Sequence, residues 1–430
     1  MALRFSNGRS LYDVTKVETI SGRPLEVIGG VTYTDVTRDS FGRQRVATPY
    51  TLFDSKYRYY ENADYTTTSG TGGSKSFNAD ASLVELTTNT TSGSIATRQT
   101  TKTFVYQPGK SLLFLSSVVL GGRIENCVKQ AGYYNDENGF FLEQDSLNEP
   151  AFVKRSSSSG SVVNTKVSQS NWNVDKLDGT GESGITLDLS KVQILWFDFE
   201  WLGSGTVRCG FIISGVYVLC HVFEHANVID TTYMTTATLP IQFKIENTDD
   251  TLENGSLKQI CCSVISEGGY VLEGHPNAIN TPITTPIDLT ASGTYYPLIS
   301  LRLKSANLDA AVILDNIAAL GITNNANYNV QLVQNGTTSG GSWVSAGAES
   351  SVEYNITATG FTKGSGTVLV DDYAIGSAQG STPLNLNRDS LFKYQLERDG
   401  LNSTAYEMTL IAATDNAGAD VHGSIGWQEV

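Results

Sequence analysis

Cysteine, histidine and proline are scarce in this 430-residue chain, at five, four and ten residues, and each scarcity argues against a class of protein. An odd cysteine count with no C-x-x-C spacing argues against a disulfide framework or a zinc ribbon and predicts reduced, buried thiols. The histidines form no cluster at ligand spacing. His221 and His225 are four apart, which on a strand is about 13 Å and too far for one ion. No run approaches the roughly 18–20 apolar residues of a membrane-spanning helix, and the leading Met-Ala-Leu-Arg-Phe-Ser-Asn lacks the apolar stretch of a secretory signal. The expectation is a protein made in the cytoplasm, with no membrane partner. Neither a G-x-S-x-G elbow nor a phosphate-binding loop is present, and no nucleophile has a recognisable base. No catalytic residue, metal or cofactor is therefore expected, and the chain reads as a non-enzyme. A formal charge of −15 argues against nucleic acid as a partner.

What is abundant is 41 Gly, 20 Tyr and 16 Phe, with much Thr and Ser and no sustained 3.6-residue periodicity. That is an all-β composition. The densest apolar run, KVQILWFDFEWLGSGTVRCGFIISGVYVLCHVFEH at 191–225, predicts three antiparallel strands at the centre of a β-sandwich. A two-residue Ser214-Gly215 turn would pair Ile213 with Val216, Phe211 with Val218, Cys209 with Cys220 and Val207 with Val222, an apolar face throughout. The other face would pair Ile212 with Tyr217 and Arg208 with His221. The strand before them is apolar on both faces until Asp198, which predicts cover from a second sheet and from a neighbouring subunit. The face taken by Trp196 is left open.

Residues 1–58 carry nine basic and six acidic groups, so the remainder holds a net −18. They have too few core-type residues to close a domain and predict an extended N-terminal arm that docks on something acidic. Within the arm, Arg38, Phe41, Arg43 and Arg45 combine guanidinium groups with an aromatic anchor, the chemistry of a docking segment. Short strands follow at sandwich spacing, giving a jelly-roll-like domain over 59–275. Asn138-Gly139 is expected to turn the hairpin between GYY and FFLE. Pro276, Pro282, Pro286 and Pro297 fall in one stretch, 276–297, which reads as a Pro/Thr-rich linker. From 298 to 430 a second set of alternating segments predicts a C-terminal sandwich. NLDAAVILDNIAAL at 307–320 could be a helix, but its neighbours favour a strand, AAVIL.

Each candidate site has a plainer explanation. Asp136, Glu137 and Asn138 could hold calcium, yet a hairpin turn accounts for them. Asp198 with Glu200, Glu143 with Asp145, and Asp371 with Asp372 are paired acids of the kind a glycosidase uses, but none sits in a motif. Cys209 with Cys220 and the neighbours Cys261 and Cys262 read as packed thiols.

The stretches DSFGRQRVATPYTLFDS (39–55), YQPGKSLLF (106–114), GYYNDENGFFLE (132–143), VKRSSSSGSVVNTKVSQSNWNVDKLDGTGESGITLDLSKVQILWFDFEWLGSGTVRCGF (153–211), LKQICCSVISEGGY (257–270), YYPLISLRLKS (295–305) and the terminal GSIGWQEV resemble a family of virion structural proteins of tailed phages, especially marine ones. The resemblance implies a particle component assembled in the host cytoplasm, with other virion proteins as partners. Three expectations follow: a fibre, tail, baseplate or collar component anchored by its arm and self-associated as a homotrimer; a capsid-decorating protein; or a host-glycan-binding adhesin, which a groove lined by Trp172 or Trp343 would favour.

Overall fold

The computed structural model describes residues 46–146, 148–376 and 392–430, together with the backbone of three short strands, Thr19–Ile20, Arg23–Pro24 and Thr382–Leu384. Residues 1–48 and 49–430 are separate compact units. Arg38, Phe41, Arg43 and Arg45 lie outside the described residues.

The second unit is all-β and built of antiparallel sandwiches, as composition predicts. In the first sandwich a seven-stranded sheet runs Val163–Ser168, Ala151–Ser156, Gly139–Asp145, Cys127–Tyr134, Ile241–Asn247, Ile95–Thr100, Tyr65–Ser69. It faces a sheet running Val216–Phe223, Val207–Ile213, Gln193–Phe199, Leu112–Val119, Gly255–Ser266, Leu83–Thr88, Gly73–Asn78, with Tyr50–Ser55 added on Gly255–Ser266. Period-two alternation buries one face of each strand: on Leu112–Val119, residues 112, 114, 116 and 118 are buried and their neighbours half-buried. In the second sandwich Ala419–Glu429 is the spine, flanked by His275–Asn280, Ile287–Leu289 and Val312–Gly321; the opposing sheet centres on Tyr296–Leu303, Met408–Thr414 and Asn327–Gln334.

Four expectations need correction. The 191–225 stretch forms its three strands, but at one side of the sheet, with Val216–Phe223 on the edge. Its turn is right: Ser214 and Gly215 have φ of 53° and 78°, and Ile213, Ile212 and Phe211 face Val216, Tyr217 and Val218. Beyond Gly210 a bulge shifts the register, so Cys209 faces His221, Arg208 faces Val222 and Val207 faces Phe223. A Cβ on Gly210 would lie 2.1 Å from the Val218 carbonyl and 2.9 Å from the Trp196 indole. Only glycine lets that ring lie across the strand, so Trp196 takes the face opposite the core.

The arm boundary at 58 is also too late. Tyr50–Ser55 is a strand of the first sandwich, with Leu52, Phe53 and Tyr57 buried in its core. Residues 276–297 are not a free linker either, since His275–Asn280 and Ile287–Leu289 both pair with Ala419–Glu429. Proline is tolerated there for definite reasons: Pro276 lies on an edge strand, and Pro297 lies at a bulge where Tyr296–Leu303 meets Met408–Thr414.

Finally, of the segments whose alternation predicts strands, 101–106 and SLFKYQLERDG at 390–400, residues 101–103 and 395–398 instead lie against each other where the sandwiches meet. Arg398 N–H donates to the Thr101 carbonyl (3.0 Å), the Gln395 amide to the Thr103 carbonyl (3.0 Å), and the Thr101 hydroxyl to Glu397 (2.8 Å). Lys102 and Glu397, both buried, pair at 2.9 Å. Burial alone would lower the Lys102 pKa, but Glu397 and Asp64 outweigh it and hold the group charged.

Candidate functional site

The paired acids resolve one by one. Asp198 is ion-paired with Arg208 across the strands and accepts a hydrogen bond from Ser111 (2.6 Å). Glu143 and Asp145, two apart on one face of Gly139–Asp145, both bind Lys166, at 2.9 and 2.8 Å, and Glu143 also accepts from Gln130 (2.7 Å). Lys166 thus bridges the two carboxylates, and both are engaged as ion-pair partners on the sheet surface. Asp371 accepts from Asn329 (2.7 Å) and Gln331 (3.0 Å), while Asp372 bonds the Tyr373 N–H (2.8 Å). Asn135 caps the 135–138 turn by accepting from the N–H groups of Glu137 (2.9 Å) and Asn138 (2.8 Å), and Gly139 supplies the positive φ of 128°. Among the described residues no group of three His, Cys, Asp or Glu is placed to hold a metal ion.

All five cysteines are free thiols. Burial pushes the Cys209 and Cys220 thiols up, and Cys262 up to about 12. Cys261 departs from expectation, because it is exposed on the outer face of Gly255–Ser266.

Two surfaces remain as sites. The first is a cleft of about 410 Å³ where the 135–137 turn, the 305–310 loop and the 398–403 loop converge, lined by Gln99, Asn135, Asn307 and Ser403 among others. Arg398 is fixed there by Asp309 (2.6 Å) and the Gly400 carbonyl (3.0 Å), and Gln99 donates to that same carbonyl (2.6 Å). The cleft sets amide and hydroxyl groups beside the carboxylates of Asp136, Glu137 and Asp309, a polar lining suited to polyol hydroxyls. The aromatic groove expected of an adhesin is not what the tryptophans make. Trp172 is buried and stacked on Phe152 (4.6 Å between centroids), and Trp343 lies under the Arg302 guanidinium (4.1 Å).

The second is the outer face of the sheet around Trp196. Strand pairing sets Tyr217, Ile212, Ile194 and Ser117 in one row and Leu219, Gly210, Trp196 and Leu115 in the next. Trp196 packs edge-on against Tyr217 (5.5 Å). Ile194 and Tyr217 are exposed on this face, and the Arg208–Asp198 pair carries charge there. The two-sided apolarity of 192–197 was legible in sequence; the identity of its neighbours was not.

No family model matches the chain, and no curated protein matches it. Among solved structures it is similar to a legume lectin-like domain from Entamoeba histolytica (10% identity, 49% of this chain and 95% of that one, TM-score 0.29). It is likewise similar to a Bacillus licheniformis β-glucanase (10%, 49% and 96%, 0.32) and to the CBM2 module of the evolved Dit of Lactobacillus casei BL23 phage J-1 (7%, 53% and 100%, 0.33). Likeness at this level carries no functional argument.

Proposed function

We propose that this chain is a non-catalytic structural component of a tailed-phage virion, a fibre, tail, baseplate or collar protein that assembles as a homo-oligomer. The family resemblance across nearly the whole chain supports the particle. The observation that supports self-association is the outer face around Trp196. The occupant we commit to is a second copy of this chain: a protein with net charge −15 repels itself, and this largely uncharged patch is where two copies approach at least electrostatic cost. Sedimentation of the isolated protein gives an oligomer, and Ile212→Glu with Tyr217→Glu returns a folded monomer. A wild-type protein that sediments as a monomer at all concentrations would overturn self-association. Cryo-electron microscopy of intact particles locates it; density in the head shell would shift the assignment to capsid decoration.

A second reading, host-glycan binding, is favoured by the polyol-suited cleft at 135–137 and 398–403. It is tested by saturation-transfer NMR with neutral oligosaccharides, where no transfer rejects it.

A further inference from the structure

Strand Ala151–Ser156 places Phe152 in the core of the first sandwich, and alternation points Lys154 to the same face, where it is half-buried. An inward lysine two residues after a core phenylalanine is a signal legible in the sequence. The Lys154 ammonium donates to His225 Nε2 (2.9 Å), and His225 Nδ1–H donates to the Gly205 carbonyl (2.7 Å). The imidazole is stacked on Tyr233, 4.0 Å between centroids and 11° between planes. That arrangement needs a neutral ring, and burial, with Lys154 beside it, holds the His225 pKa down at about 4. The rings of Phe223 and Tyr233 flank the ammonium at 5.8 and 5.9 Å. No carboxylate of the described residues lies within 4.0 Å of it.

A half-buried cation with an imidazole and two ring faces for neighbours, but no counter-charge, still has two N–H groups to give. It lines a cavity of about 780 Å³ walled by the hydroxyl-bearing Ser156, Ser158, Ser159, Thr165, Thr231 and Thr232, with Val228 and Ile229 on its apolar side. Asp230 also lines this cavity but makes no ion pair with Lys154. Hydroxyls here already donate locally, as Ser159 does to the Ser161 carbonyl (3.1 Å), and keep lone pairs free to accept.

We propose that this cavity binds an acidic saccharide, its carboxylate on the Lys154 ammonium and its hydroxyls on the serine and threonine wall. The site is separate from the cleft at 398–403 and from the face around Trp196. Charge assistance makes the ammonium–carboxylate contact the strong one, and the hydroxyl wall distinguishes a sugar acid from a simple anion.

Isothermal titration of the full chain with glucuronate and with N-acetylneuraminate gives binding; acetate, inorganic phosphate and glucose bind at least tenfold more weakly. Lys154→Met, close in volume and without the buried charge, keeps the fold and loses at least tenfold in affinity, whereas Lys154→Arg retains part of it. Thr165→Val with Ser159→Ala tests the hydroxyl wall independently and weakens the sugar acids while leaving acetate unchanged. The proposal fails if the wild-type protein binds neither sugar acid, if Lys154→Met binds them equally well, or if acetate or phosphate binds as tightly as they do.

Discussion

The two sandwiches share an architecture and differ in what fills them. The first is packed with rings: Phe197 alone meets Phe114 (5.9 Å), Phe152 (5.9 Å) and Phe140 (6.3 Å), and Phe152 stacks on Trp172. The second is aliphatic, built on Leu298, Ile299, Leu301, Leu332, Leu410 and Ile425, with Tyr328, Tyr394 and Trp427 as its buried rings. Wide aromatic side chains span the gap between broad sheets of seven and eight strands with few residues, and each ring is held by several others. The aliphatic core divides the same task among many smaller, more replaceable groups. Local damage should therefore be more costly in the first sandwich. Because Ala311, Ile313 and Phe392 of the later chain enter the first core, the damage should still be felt as one transition.

The largest effect should come from opening the ring network. Phe197→Ala removes a fully buried hub and should cost about 3–5 kcal/mol, against about 2–5 kcal/mol for the equally buried Leu410→Ala. Denaturant unfolding followed by both fluorescence and far-ultraviolet dichroism measures this; a larger loss for Leu410→Ala would break the comparison.

Acid should separate the sandwiches next. Burial depresses His221 and His225, both in the first sandwich, to about 4. Well above pH 6.5 both rings are neutral whether folded or unfolded, so stability is fully kept. Between pH 6.5 and 4 the unfolded chain takes up protons that the folded chain refuses, so stability falls, by up to about 3 kcal/mol for each ring at the lower end. The slope of melting temperature against pH in this window should flatten in a His221→Gln, His225→Gln variant, and an unchanged slope would remove the histidines from the account.

A smaller effect belongs to the junction. Thr101→Val leaves the buried Glu397 without the hydroxyl that donates to it at 2.8 Å and should cost about 1.5–3 kcal/mol. Calorimetry decides whether the sandwiches remain coupled: one transition moved downward is expected, and two separated ones would mean that each core stands alone.

Sequence made the strands and the inward alternation legible because period two is local. It missed what depends on partners far along the chain. Residues 101–103 and 395–398 lie in strand-like sequence, yet they meet each other across nearly 300 positions, so nothing nearby marks them as a junction. The prolines of 276–297 suggested a linker because proline favours an extended, polyproline-like chain; an edge strand and a bulge accept that same geometry and need no donor at those points. The position of Lys154 is marked by alternation, but its lack of a counter-charge is not, because that is a property of the packed structure and of no residue by itself.

The smallest effect is at the turn that sequence read correctly. Ser214 sits at φ 53° and Gly215 at φ 78°, so both central residues of this two-residue loop are left-handed, the arrangement whose twist matches the two strands. Glycine meets that demand at no steric cost, but serine does not, and the strain at Ser214 is held by the pairing of Ile213 with Val216. Asparagine tolerates positive φ better than serine, so Ser214→Asn should stabilise the protein by about 0.5 kcal/mol, while Gly215→Ala should destabilise it by about 1 kcal/mol. The gain should be confined to the edge hairpin and should appear as slower amide exchange at Ile212, Ile213 and Val216. Exchange unchanged there, with the melting temperature also unmoved, would mean that the bulge at Gly210, and not the turn, fixes the register of this edge.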